Sequence, residues 1–209
     1  MVANVIIAII AYLLGSISFS VIITKKLAGF DVREKGSGNA GSTNVLRTAG
    51  KKAAILTLIC DILKGVVAIL IAFFAGKIFK IENALLIQIA GVFVILGHTF
   101  PIFFKFKGGK GIATSLGVLL ITNWQIGLIC LVFALVLIAL TRMVSVGSIA
   151  AAVLFPVLVM FIDQHFLIPS SNWSYLIFSI IIAVFVIFNH RANVTRIFNG
   201  TENRISLKK

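Results

Sequence analysis

The residues best able to do chemistry stand in one run, Gly36-Ser37-Gly38-Asn39-Ala40-Gly41-Ser42-Thr43-Asn44. Gly36, Gly38 and Gly41 allow backbone angles that bring neighbouring amide N–H groups to one point. Ser37, Asn39, Ser42, Thr43 and Asn44 add side-chain donors, and Arg47 follows with a planar cationic fork. Such a run suits an anion with several oxygens, phosphate foremost. A flexible Gly/Ser linker is the alternative, but linkers seldom combine two Asn, a Thr and an Arg so closely.

A second run, Gly97-His98-Thr99-Phe100-Pro101 through Phe106-Lys107-Gly108-Gly109-Lys110-Gly111, has the look of a phosphate loop without being one. A Walker A loop needs Gly-Lys-Ser/Thr, and Gly111 stands where the hydroxyl residue would be. What is left is a lysine boxed in by glycines at the expected start of a helix, where amide donors and the helix dipole favour an anion. A basic patch touching acidic lipid headgroups is the other reading, and Lys105 and Lys107 are expected to serve that purpose. Phe100, Phe103, Phe104 and Phe106 read as an interfacial anchor.

Two shorter runs complete the set. Ser145 and Ser148 share one helix face near a helix start, which suits either tight packing or substrate binding. His190 and Asn193 are likewise three apart, and the histidine can donate to a phosphate oxygen or act as a base near neutral pH. Arg191 and Arg204 read as a stop-transfer signal. Inside an apolar segment Asp61 and Lys64 can neutralise one another, and an intramembrane charge pair defaults to a functional role. The pair is expected to support the run 36–47 from behind. His98 lies near the membrane surface, and His165 is read as incidental. No metal is expected, because the 6 acidic residues are scattered without paired carboxylates. Cys60 and Cys130 read as small buried hydrophobes.

The elements that must position these residues are membrane helices. The chain has 209 residues, 60% of them hydrophobic, and a mean hydropathy of +1.13, more apolar surface than a soluble domain of this size can cover. Apolar runs fall at Val5–Thr24, Ala53–Gly76, Ala84–Phe100, Ile112–Thr122, Gln125–Leu140, Val144–Phe161 and Tyr175–Phe188. The first has no basic residue ahead of it, so it is expected to stay as a helix with the N-terminus outside. The formal charge of +13 is a topology signal and not a nucleic-acid footprint: with seven crossings only Lys77 and Lys80 fall outside and only Lys64 within a span. If 112–122 turned back instead, Arg142 and the basic C-terminal tail would lie outside. All four polar runs then face the cytoplasm, where one helical bundle, a single domain over residues 1–209, can bring them together.

These runs, in this order and with this hydrophobic spacing, resemble the PlsY-type bacterial glycerol-3-phosphate acyltransferases over nearly the whole chain. The resemblance implies an all-α, seven-helix enzyme of the bacterial inner membrane with a cytoplasmic active site and a cytoplasmic C-terminus. Its reaction would transfer a fatty acyl group from acyl phosphate to the 1-hydroxyl of sn-glycerol 3-phosphate, giving lysophosphatidic acid and phosphate, the first step of phospholipid synthesis. No cofactor is implied; the partners are the two substrates, the bilayer and, transiently, the soluble enzyme that makes acyl phosphate. The resemblance implies that Ser37 and the loop amides of Gly36, Gly38, Asn39 and Gly41 hold the acyl phosphate, and that Arg47, Lys110, Ser148, His190 and Asn193 hold glycerol 3-phosphate. Thr43, Asn44, Gly108, Gly109 and Ser145 are further substrate-binding positions, with Asp61, Lys64 and His98 behind them. Ser37, Lys110 and His190 are the expected catalytic groups, and the proton of the attacking hydroxyl goes either to His190 or to the departing phosphate. The rival class is a transporter of a small anionic metabolite, but the outer loops 77–83 and 122–124 are short and bland and no inverted repeat is visible.

Overall fold

A computed structural model describes residues 2–162 and 172–205, so His165 lies outside the described residues. Nine α-helices follow one another there: α1 (Val2–Gly15), α2 (Phe19–Ala28), α3 (Ser42–Phe79), α4 (Asn83–Thr99), α5 (Ile112–Thr122), α6 (Trp124–Thr141), α7 (Val144–Phe161), α8 (Asn172–Asn189) and α9 (Arg191–Phe198). There is no strand among the described residues. Val2–Ala28, Ser42–Phe79, Asn83–Phe104, Trp124–Thr141 and Val144–Phe161 are each long and apolar enough to cross a membrane. A sixth candidate is the α8–α9 pair, bent by 59°. The 11 residues of α5 rise about 17 Å, roughly half of a hydrocarbon core. The protein is therefore an all-helical, polytopic membrane protein, and the exposed Leu, Ile, Val and Phe side chains along its helices are what lipid requires.

The described residues form two compact units. In the first, residues 2–122, α1 packs on α4, and α3 carries α2, α4 and α5 against its length. Close approach rests on glycine: a Cβ at Gly15 would run into the Val94 carbonyl, and one at Gly97 into the Tyr12 carbonyl. The apolar run Val5–Thr24, expected as one helix, is broken between Gly15 and Phe19. The break frees the carbonyls of Gly15 and Ile17, and a side chain from α3 takes them up, as described below. Ahead of the apolar run Ala53–Gly76 the chain is already helical from Ser42, with a kink at Gly50 (φ 84°, ψ 178°).

In the second unit, residues 123–162 and 172–205, α7 lies between α6 and α8. Asn123 caps α6 by accepting from Ile126 N at 3.1 Å. The small residues at the start of α7 do what their size suggests: a Cβ at Gly147 would come within 2.5 Å of the Ala134 carbonyl.

Candidate active site

In the first unit the chain leaves α2 at Gly29 and reaches α3 through a turn built on two glycines, Gly36 (φ 61°) and Gly38 (φ 71°), both in the left-handed region. The turn is not a linker. Val32, Ala40 and Val45 are buried with Val21, Ala53 and Ala54 in one apolar cluster that ties it to α2 and α3. Asn44 shapes it from within: Oδ1 accepts from Ser37 N at 2.9 Å, while Nδ2 donates to the carbonyls of Val32 (2.9 Å), Lys35 (3.0 Å) and Asn39 (3.1 Å). Asn44 thus holds the turn in shape from its core. Ser37 is exposed, Asn39 and Thr43 are half-buried, and the N-terminus of α3 opens directly on the turn after Gly41 with no side-chain cap. Its first N–H groups and the helix dipole are thus presented beside Ser37.

Asp31 and Arg33, overlooked in the sequence, brace this turn. Arg33 donates Nε to Asp31 Oδ1 at 2.9 Å and Nη2 to Oδ2 at 2.7 Å, and its Nη1 reaches the Phe104 carbonyl at 2.7 Å. The Arg33 side-chain hydrogen bonds outweigh burial and hold the Asp31 carboxyl down to about 2. A depressed folded-state value gives stability that is present above the unfolded carboxylate range, near 4, and is lost as pH falls toward 2. We expect roughly 1–2 kcal/mol from this ion pair after screening at the partly exposed guanidinium. Thermal unfolding should show the wild-type advantage over Asp31→Asn shrinking from pH 5 to pH 2; a constant gap would refute it. An Asp two residues before an Arg, just ahead of a glycine-rich run, was the available signal.

The second run is drawn onto the first. Ala40 N donates to the Gly108 carbonyl at 3.3 Å, Gly108 N to Thr99 O at 3.1 Å and Gly109 N to His98 O at 3.0 Å. Lys110, half-buried, follows, and Gly111 (φ 90°) delivers the chain into α5. Within this unit the runs 36–47 and 97–111 therefore form one surface.

Asp61, Lys64 and His98 cluster in the same unit, all buried. Lys64 Nζ lies 3.0 Å from Gly15 O, 3.0 Å from Ile17 O and 3.0 Å from Asp61 Oδ1; the last contact is an ion pair and not an aligned hydrogen bond. His98 Nδ1 lies 3.5 Å from the same carboxylate oxygen. The broken α1–α2 segment offers bare carbonyls, and the Lys64 ammonium donates to them.

In the second unit Glu202, also unforeseen, gathers the predicted residues. Its Oε1 accepts from Ser145 Oγ at 2.9 Å and Asn193 Nδ2 at 2.8 Å, and its Oε2 from Arg196 Nε at 2.9 Å. Burial works to raise the Glu202 carboxyl, but the bonds from Asn193, Ser145 and Arg196 prevail and hold it below the ordinary carboxylate range. A serine hydroxyl has a single proton. Ser145 spends its one hydroxyl donor on the Glu202 carboxylate. Ser148 is buried on the same helix. His190 sits at the bend before α9, with Nδ1 2.8 Å from the Val186 carbonyl. A carbonyl can only accept, so Nδ1 carries the proton and a neutral ring has its lone pair on Nε2. Glu202 stands alone in a basic tail, and no motif spacing pointed to it.

The fold defines a polytopic, membrane-embedded helical protein, and the glycine turns and uncapped helix N-terminus of its first unit are features that suit an anion. Residues 5–200 match the model of the glycerol-3-phosphate acyltransferase family, and the chain belongs to that family. It is 46% identical to the glycerol-3-phosphate acyltransferase of Clostridioides difficile (strain 630), over 98% of this chain and 97% of that protein. It is 44% identical to the enzyme of the same name from Thermoanaerobacter sp. (strain X514), over 96% and 95%. Crystal structures of PlsY, an integral membrane glycerol 3-phosphate acyltransferase, are similar throughout. The glycerol 3-phosphate form has a TM-score of 0.84 at 37% identity, covering 97% of this chain and 96% of that one. The lysophosphatidic acid form has a TM-score of 0.82 at 35% identity, covering 97% and 95%.

Proposed function

We propose that this protein transfers a fatty acyl group from acyl phosphate to the 1-hydroxyl of sn-glycerol 3-phosphate, releasing lysophosphatidic acid and phosphate, at the cytoplasmic face of a bacterial cell membrane. The observation that carries the reading is the pair of glycine turns held together by the Ala40–Gly108 bond, in a chain of this family. The Ser37 hydroxyl, the backbone amides of Gly36, Asn39 and Gly41 and those of Ser42 and Thr43 that open α3, with the Thr43 hydroxyl, take the phosphate of the donor. In the first unit Arg47 and Lys110 are the residues assigned to glycerol 3-phosphate; in the second, Ser148, His190 and Asn193 are assigned to it by resemblance to the family, and Glu202 fixes the orientation of Asn193.

The chemistry asks little more than position. In a mixed anhydride the acyl carbon is already activated, so orienting the hydroxyl and stabilising the developing oxyanion supply most of the acceleration. The 1-hydroxyl oxygen attacks the acyl carbon, the bond from that carbon to the phosphate oxygen breaks, and phosphate leaves with the electron pair. The single proton of the attacking hydroxyl passes either to an oxygen of the departing phosphate or to His190 Nε2. The test is phosphate release by the purified protein given palmitoyl phosphate, with and without glycerol 3-phosphate, beside palmitoyl-CoA. Release that requires glycerol 3-phosphate and fails with the CoA ester is expected. Turnover of palmitoyl-CoA alone would overturn the donor, and no turnover of either by folded protein would overturn the reaction.

A further inference from the structure

The charges buried in the first unit make a connected strut from the break in the first apolar segment to the glycine turn at 108–109. Lys64 Nζ donates at 3.0 Å to two carbonyls that exist as acceptors only because the helix is interrupted, and pairs as an ion with the Asp61 carboxylate at 3.0 Å. The same carboxylate oxygen faces His98 Nδ1. The opposite edge of that ring, at Nε2, is pressed against Gly109 so closely that a Cβ there would overlap it. A Cβ at Gly109 would also lie 3.1 Å from the Ala40 carbonyl, and Ala40 N holds Gly108 O. The imidazole is therefore wedged between a fixed carboxylate and the backbone where the two turns meet.

We infer that Lys64, Asp61 and His98 are positioning residues for acyl transfer: through the ring of His98 they set where Gly108 and Gly109 lie against Ala40, and so the offset between the turns carrying the two substrates. The inference rests on the proposed function, in which one turn holds the donor and the other the acceptor. Desolvated charges within a membrane span are costly, and a packing contact alone would be met by apolar side chains. An error in relative placement of two bound reactants acts on turnover and leaves the affinity of each almost intact, and a 1 Å misplacement can cost about 10²-fold.

Two sets of variants test this, with kcat and KM read for both substrates and folding checked by thermal unfolding. Asp61→Asn/Lys64→Met removes both charges and strands neither; we expect kcat to fall about 10- to 100-fold with each KM within about threefold. His98→Asn keeps an amide group near Asp61 and vacates the space beside Gly109, with a similar loss of kcat. Gly109→Ala should then lower kcat in the wild-type background and raise it in His98→Asn, since the new Cβ fills the space the ring has left. Loss confined to KM for glycerol 3-phosphate, or Gly109→Ala lowering turnover in both backgrounds, overturns the inference. If the charge-pair variant does not fold, the sign of Gly109→Ala in the two His98 backgrounds decides alone. Each ratio is taken with palmitoyl phosphate and with palmitoyl-CoA, so a mistaken donor appears as a parent protein active only with the CoA ester, and the variant ratios stay readable.

Discussion

Lys110→Ala should lower kcat/KM for glycerol 3-phosphate by about 10²- to 10³-fold, the range expected for one preorganised cationic donor in a site that excludes water. Lys107→Ala, three residues away, should change it less than about threefold, because exposed Lys107 faces solvent or headgroups. The contrast depends on the backbone. Gly108 and Gly109 are bonded to the end of α4, Gly111 takes a left-handed φ, and Lys110 is fixed between them at the mouth of α5. Steady-state kinetics on the two variants checks this; equal effects would reduce the whole run to a membrane-surface patch.

His190→Ala should reduce kcat by on the order of 10²- to 10³-fold, within the range of a positioned acid–base or orienting group. His190→Gln should keep about a tenth of the activity or more. With Nδ1–H tied to the Val186 carbonyl, a neutral ring carries its lone pair on Nε2, and the amide oxygen of glutamine can take the same hydrogen bond without taking the proton. Should glutamine prove as inactive as alanine, the proton passes to the imidazole, and the rate should then depend on histidine ionisation.

The motif runs were legible because their residue types have few other uses in an oily chain, and the helices because lipid demands long apolar stretches. What escaped was set by partners distant in sequence. Val5–Thr24 reads as one helix, since nothing at Ser16–Ser18 announces that Lys64 will hold the carbonyls exposed by a break. Asn44 and Ser145 look like donors for a ligand; only the turn around Asn44 and the carboxylate of Glu202 show where their protons go. Composition assigns the chemistry a residue can do. It does not say whether a neighbour has already claimed it.

Glu202 also bears on where the protein can be shortened. All nine described helices and all four polar runs lie before Gly200, so a chain ending there would look complete by every criterion of sequence. It would lack the carboxylate that Asn193, Ser145 and Arg196 share, and the Ile205 N–H that reaches back to the Arg142 carbonyl at 2.7 Å. Residues 201–205 act as a clasp, and a tag or fusion attached at residue 200 would replace the fastening while leaving every described helix in place.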